Sequence, residues 1–311
     1  MRALVTGATG FMGSHLLREL LRQGWDAVCA VRGEPPFVHP KVTWVTLDLL
    51  YPDAFRLERE TVGHIDVVFH LGAALPTSVP SQDLNVYIRA NALSTIRLLE
   101  LSSVWEVQSF VYASGLAVIG EPTDLPITEE HPLHPFHPYL VSKLYGELAC
   151  ELARRTERRA ITCLRITSPY GPGMPTVTVL PGFVRQALES KDITWFGSGQ
   201  RTQNFIHVYD VVRACLLATE THHPGVYNIG GARSISMSEL AEMVIRLTPG
   251  TRSHACAAKM PDMQDDFRWE VDLRKAEAAF GYRPAISLEQ GLSEYIELTR
   301  LGHAGHRLWS A

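Results

Sequence analysis

Apolar residues follow two rhythms along the first half of this chain. Six short, nearly continuous apolar runs, "RALVTG", "DAVCAVRG", "VTWVTLDL", "IDVVFHLGA", "SFVYASG" and "AITCLRI", have the length and composition of strands buried on both faces. Between them the apolar spacing widens to three and four. It does so in "SHLLRELLRQG", where Gly24 is a stop, in "ANALSTIRLLELSS", and from about Pro138 to Arg155. Strands and helices alternating in this way predict right-handed crossovers and an α/β fold built on a doubly wound parallel sheet.

After Pro169 the texture changes. "SPYGPGMPTVTVLPG" is rich in Pro and Gly and reads as an ordered loop over a site. Beyond it, "GFVRQALES", "DVVRACLLAT", "GVYNIGG", "SMSELAEMVIRL" and "LRKAEAAFG" mix helices, strands and loops. The expected organisation is a nucleotide-binding core over residues 1–168 and a smaller substrate-binding region over 169–311, some of whose strands and helices return to the core.

Composition narrows the class. With 46% hydrophobic and 20% charged residues, the 311-residue chain can bury a substantial core. A net charge of -4 gives no bulk attraction to nucleic acid or to an anionic membrane surface. Cys29, Cys150, Cys163, Cys215 and Cys256 are scattered and show no CxxC spacing, which favours reduced thiols in a cytosol over disulfides or a zinc site. The start runs directly into "RALVTG" without the pattern of a signal peptide, and no apolar run approaches the roughly 20 residues needed to span a bilayer. A cytoplasmic protein with no membrane and no nucleic-acid partner is expected.

Chemistry enters with "TGATGFMG", a glycine loop between the first strand and the first helix. Gly7 allows the tight turn, Gly10 lets backbone approach a pyrophosphate, and Gly13 allows close helix packing. The helix N-terminus adds free N–H groups and a positive dipole end. A Rossmann-type dinucleotide site follows. Where an NAD site carries an acidic residue at the end of the second strand, this chain has Val31 and then Arg32. A guanidinium there suits a 2′-phosphate and favours NADP over NAD, the plain alternative being a solvated arginine at a strand end. Asp48 either accepts from the adenine amino group or caps its loop.

In "HPYLVSKLYGELA", Tyr139 and Lys143 stand four apart and so share a helix face. An ammonium beside a phenol is expected to lower the phenol's pKa toward a useful acid/base value. By itself such a pair describes many solvated helix faces. Combined with the glycine loop, "VFHLGA", Asn91, "YASG", "LRITSPYGPG", "TQNFIHVYDVVRA", "YNIGG" and "DLRKAEAAFGYRP", it resembles the extended short-chain dehydrogenase/reductase superfamily, in its NAD(P)-dependent epimerase/dehydratase branch. The resemblance covers most of the chain. It implies a Rossmann fold of about seven strands and a homodimer formed through a helix bundle. It also implies Tyr139 as acid/base, with Lys143 orienting the nicotinamide ribose. Carried onto this sequence, it places Gly7, Thr9, Gly10, Phe11, Met12, Gly13, Arg32, Asp48, Leu49, Leu71, Gly72, Ala73, Asn91, Tyr139 and Lys143 around the cofactor.

Three departures from the family pattern shape the functional expectation. The strand-end motif puts Ser114 at its first hydroxyl position and Gly115 at the second, usually catalytic, one. Loss of a comparable donor costs on the order of 2.7–4 kcal/mol. Ser114 reaching in, or a hydroxyl from Thr167, Ser168, Thr176 or Thr178, is the replacement to look for. Leu116 and Ala117 stand where dehydratases carry an acidic pair, and neither transfers a proton, so a 4,6-dehydratase is not expected. Nucleotide-sugar members grip the diphosphate with an asparagine and two arginines, where this chain has Ser168, Gln203 and the acidic neighbourhood of Asp262, leaving Arg185, Arg201 or Arg268 to compensate. Ser168, Arg185, Gln203 and Arg268 are accordingly the substrate-binding candidates.

No metal site is expected. His131, His134 and His137 are interleaved with helix-breaking prolines, and His222 and His223 lie in a loop. His137 is a secondary candidate for the substrate site. The expected activity moves a hydride between nicotinamide and a secondary alcohol or ketone carbon of a sugar-like or nucleotide-sugar small molecule, as a reductase or an epimerase. The alternative is a non-catalytic dinucleotide sensor of the same fold.

Overall fold

A computed structural model describes residues 1–55, 57–76, 83–221 and 223–302. The six apolar runs of the first half are strands β1 (Arg2–Thr6), β2 (Asp26–Val31), β3 (Val42–Thr46), β4 (Val67–His70), β5 (Ser109–Gly115) and β6 (Ala160–Ile166). Shorter strands follow: β7 (Ser168–Tyr170), β8 (Ile193–Trp195), β9 (Thr202–His207), β10 (Val226–Ile229), β11 (Ser234–Ser236) and β12 (Ala255–Ala257). The helices are α1 (Phe11–Arg22), α2 (Arg59–Val62), α3 (Leu84–Tyr87), α4 (Ser94–Val104), α5 (Pro138–Glu157), α6 (Val179–Leu188), α7 (Val208–Glu220), α8 (Met237–Leu247), α9 (Arg274–Phe280) and α10 (Leu288–Arg300).

The main sheet has the order β10-β6-β5-β4-β1-β2-β3, every neighbour parallel. Helices cover both faces, which is why the central strands read as unbroken apolar runs. Leu16, Leu17 and Leu20 of α1 and Val211, Ala214 and Cys215 of α7 fill one face with Val5, Phe69 and Val111. Leu98 and Leu99 of α4 and Cys150 and Ala153 of α5 fill the other with Leu4, Val28 and Tyr112. The chain runs outward from β1 through β2 to β3 and then returns to place β4 on β1's other side. That reversal opens a crevice beyond the carboxyl ends of the strands, where α/β sheets bind ligands.

The helix expected from Ala90 begins differently. Residues Ile88–Leu93 form a π-helical segment ahead of α4. The Ser94 and Thr95 hydroxyls donate to the carbonyls of Ala90 and Asn91, at 2.6 and 2.5 Å, which favours the wider turn. In the second half, β11-β9-β7 form a small sheet, and β12 pairs with β8. A third core gathers Leu180 and Val184 of α6, Leu240 and Val244 of α8, and Leu292 and Ile296 of α10 against Tyr170 and Phe205. β10 comes from sequence beyond residue 169 yet completes the main sheet beside β6. No described helix is long and apolar enough to cross a membrane.

Candidate functional site

The glycine loop is shaped by close approach. Gly7 has φ +72°, and a Cβ there would meet Gly72 N at 2.7 Å, while one at Gly13 would lie 2.1 Å from Gly7 O. Gly10 N donates back to Gly7 O at 2.9 Å, closing the turn. Gly10 then caps α1 without any side chain bonding the first-turn N–H groups. Side chains are thus excluded from a backbone cradle at a helix N-terminus, a shape that accepts a pyrophosphate.

This loop lines a cavity of about 810 Å³. Its walls include Gly7, Thr9, Gly10, Phe11, Met12 and Gly13. Arg32, Asp48 and Leu49 lie beyond β2 and β3 on one side, and Leu71, Gly72 and Ala73 follow β4. Ser114, Gly115, Tyr139 and Lys143 lie on the other side, with Ser168 and Gln203 past β6. At the usual strand spacing the crevice from β3 to β6 is about 24 Å wide, room for an extended dinucleotide with a small molecule beside it. Asp48 uses one carboxylate oxygen on Leu50 N at 3.0 Å.

Helix α5 delivers Tyr139 and Lys143. Pro138 occupies its first position, and His137 caps it by accepting from Tyr139 N at 3.1 Å. That cap, outside the cavity wall, is where His137 is employed. Close packing of α5 on β5 needs Gly146, where a Cβ would sit 2.3 Å from the buried Tyr112 hydroxyl. The Tyr139 ring points into the cavity, and burial, with a smaller push from Tyr87, holds its phenol up at about 12. This corrects the expectation of a lowered phenol: desolvation dominates. The Lys143 ammonium lies 4.5 Å from the centre of the Tyr112 ring. Burial lowers Lys143 to about 8, Glu147 acting in the opposite sense.

Ser114 Oγ is buried with no hydrogen-bond partner, and so is Thr167 Oγ1 at the end of the adjacent strand. Both residues line the cavity. Gly115 leaves space beside them, since a Cβ there would meet only Ile166 O, at 4.0 Å. The Ser168 hydroxyl accepts a hydrogen bond from the Gln203 amide.

Three of the expected residues lie outside the cavity wall. Asn91 is buried in the π-helical segment, where its Oδ1 accepts from Ala74 N at 2.7 Å and its Nδ2 donates to Ser142 Oγ at 2.9 Å. It positions the loop after β4 against α5. Arg185 is exposed on α6. Arg268 donates to the carbonyls of Asp265 and Phe267, at 2.9 and 3.2 Å. Arg201, the remaining candidate cation, is paired with Asp262 at 2.7 Å.

His70, within "VFHLGA", has a role that sequence spacing does not show. Its Nδ1 accepts from Thr6 Oγ1 at 2.6 Å, and its Nε2 faces Thr95 Oγ1 at 2.9 Å. Thr6 Oγ1 in turn accepts from Gly72 N at 3.1 Å. Burial lowers His70 to about 3, keeping it neutral, so it ties β1, the loop after β4 and α4 together without charge. A histidine inside a buried strand was the available signal. Among the other histidines, His131 is buried and accepts from Thr123 N at 3.1 Å, and His222 lies outside the described residues. No metal-binding group of three His, Cys, Asp or Glu occurs among the described residues.

Comparison with known proteins adds a lineage. A family profile described as "NAD dependent epimerase/dehydratase family" matches residues 3–230. The chain is 30% identical over 314 aligned residues to an uncharacterized UDP-glucose epimerase of Bacillus subtilis, covering 95% of this chain and 97% of that one. It is 29% identical to a dTDP-glucose 4,6-dehydratase of Streptomyces niveus, covering 96% and 93%. The UDP-glucuronic acid 4-epimerase of Bacillus cereus, solved with UDP-glucuronic acid and NAD, superposes with a TM-score of 0.82 at 29% identity, covering 96% of this chain and 100% of that one.

Proposed function

The chain belongs to the NAD dependent epimerase/dehydratase family, and from that premise we propose that it is an NAD(P)-dependent reductase or epimerase acting at one secondary alcohol or ketone carbon, with Tyr139 as the proton-transfer group. The observation that carries this reading is the sharing of one cavity by the glycine loop and by Tyr139, Lys143 and Ser114. A nicotinamide dinucleotide, when bound, supplies the acceptor and donor of hydride. Gly7, Gly10 and Gly13 would hold its pyrophosphate, and Asp48 and Arg32 its adenosine end.

The rest falls to this chain's own side chains. Tyr139, which burial holds near 12, gives its proton to the oxygen of the reacting carbon when a ketone is reduced and, as the phenolate, takes the hydroxyl proton back when an alcohol is oxidised. Ser114 Oγ, buried without a partner, is the hydroxyl that can bond that same oxygen. Lys143 supplies positive charge on Tyr139's side of the cavity. Leu116 is buried and Ala117 carries no titratable group, so elimination of a leaving group has no acid or base at those positions. This reading therefore leaves out 4,6-dehydration, although several relatives bear that name.

Arg32 in the cavity wall favours a second, finer reading, a reductase preferring NADP(H), over an epimerase that retains NAD. A non-catalytic sensor would have no need of the buried Tyr139–Lys143 pair. A homodimer is supported by an exposed apolar stripe of Tyr145, Leu148 and Leu152 on α5, with Ile96 exposed on the neighbouring α4.

The test has two arms. The nucleotide released from purified protein by denaturation distinguishes tightly kept NAD, expected of an epimerase, from exchangeable NADP(H), expected of a reductase. Turnover by Tyr139→Phe on a panel of ketones and nucleotide sugars should drop by about 10² or more relative to wild type. Equal turnover in the two proteins would remove the enzymatic reading.

A further inference from the structure

We propose that His15 is a positioning residue, which fixes the substrate-side wall of the cavity to the helix that carries the dinucleotide cradle. The inference rests on the reading of the site given above and adds to it a residue one turn behind the glycine loop. His15 is buried on α1, and its Nε2 lies 2.8 Å from the backbone oxygen of Pro172, 157 residues along the chain. A carbonyl only accepts, so Nε2 carries the ring proton. Nδ1 is then the bare nitrogen, and it is buried without a partner. Burial holds the imidazole below its ordinary pKa, which favours the neutral ring with its single N–H given to Pro172.

That hydrogen bond holds a turn with two available shapes. Met174 N donates to Gly171 O at 3.2 Å, closing a four-residue turn over Pro172 and Gly173. Gly173 has φ +80°, the third-position value of a type II turn, and proline suits the second position. Glycine adopts negative φ about as readily, so a type I turn is open to the same four residues. The two types differ by a flip of the peptide between Pro172 and Gly173, which swings the Pro172 oxygen to the opposite side. The observed turn presents that oxygen to His15, whose donor therefore selects it.

The turn leads directly into the cavity wall. Met174, Pro175, Thr178 and Val179 line it, and α6 begins at Val179. Residues 175–178 are exposed, so their course depends on the turn before them and the helix after. Met174 is buried in the third core, which anchors its side chain but does not set the direction of the peptide behind it. On the other side, the His15 ring meets Phe11 and Tyr209 edge to face, at centroid distances of 5.9 and 5.2 Å, so packing aims its Nε2. Phe11 and Met12, in the first turn of α1, line the same cavity beside Gly10 and Gly13. One helical turn thus separates the cradle from the grip on the opposite wall.

Hydrogen–deuterium exchange on the protein as purified tests this with two variants. His15→Phe removes the donor and keeps a ring, while His15→Gln returns an N–H near the position of Nε2. In His15→Phe the amides of residues 173–179 should exchange about fivefold faster than in the wild type, the effect of one hydrogen bond, with β1 and α7 unchanged. His15→Gln should bring that rate back. Equal exchange in His15→Phe and wild type would mean that Met174 and α6 hold the wall alone, and would overturn the proposal. A rise spread over the whole chain, or a His15→Gln no slower than His15→Phe, would overturn it too. On a substrate found with the Tyr139 panel, His15→Phe should raise KM about fivefold and leave kcat within about twofold; the reverse split would overturn it. Exchange needs no turnover, so its outcome stands apart from that of the Tyr139→Phe test.

Discussion

Lys143 gives up its proton at about 8 because burial penalises the ammonium more than Glu147, four residues along the same helix, restores. Tyr139, held near 12, keeps its proton throughout the neutral range. The two groups therefore leave their working states in a fixed order as pH rises, the lysine first. Ketone reduction should fall as pH passes through about 8, where Lys143 becomes neutral while Tyr139 is still protonated. In Lys143→Arg, whose guanidinium does not deprotonate, that limb should move above about pH 10. An unmoved limb in a pH–rate profile would separate the fall from Lys143. Gly115 offers a constructive counterpart. Its backbone is ordinary extended strand, φ -127° and ψ 140°, with open room for a side chain. Gly115→Ser should fold with a stability change within about 0.5 kcal/mol and raise kcat about tenfold, restoring a donor whose removal elsewhere costs 10²–10³. A Tm shift together with flat kcat would argue that Ser114 or Thr167 already fills that role.

Helix α5 gathers proton transfer, packing and charge on one line of residues. Tyr139 and Lys143 face the cavity, Gly146 lets the helix lie against Tyr112, and Glu147 is buried against Arg165 of β6 at 2.8 Å. Arg165 also donates to Glu129 O at 3.0 Å, so the pair holds the loop before α5 as well as the sheet. Removing one partner strands a buried charge. Arg165→Met should lower the unfolding free energy by about 3–5 kcal/mol, and adding Glu147→Leu should recover most of it, both read from urea denaturation. Little of this charge pairing was legible from spacing. The chain order did reveal the six strands, because buried parallel strands need unbroken apolar runs, and it revealed the glycine loop, because its shape tolerates no side chain. Three particulars were not readable. Asn91 turns inward at a π-helical segment, the Lys143 ammonium of α5 is drawn over an aromatic ring on β5, and Gln203 meets Ser168 across two strands of the small sheet. Each depends on contacts between residues distant in sequence, for which periodicity carries no signal.

At the scale of the whole molecule, the apolar stripe on α5 bears on assembly. Tyr145, Leu148 and Leu152 recur at helical spacing on the side turned away from the sheet. Sedimentation velocity should report a dimer for the wild type and a monomer for Leu148→Glu with Leu152→Glu, the unfolding midpoint of the isolated subunit being little changed. An unaltered sedimentation coefficient would place the contact elsewhere. The return of β10 to the sheet has a different kind of consequence, one of timing. β6 ends at Ile166, and the strand that covers its outer edge begins only at Val226. During synthesis at ordinary rates, a row of bare backbone donors and acceptors on β6 waits for about 3–12 s before its neighbour emerges. The nascent chain is therefore most prone to pair with the wrong strand in that interval, and a chain arrested before residue 226 carries that open edge permanently.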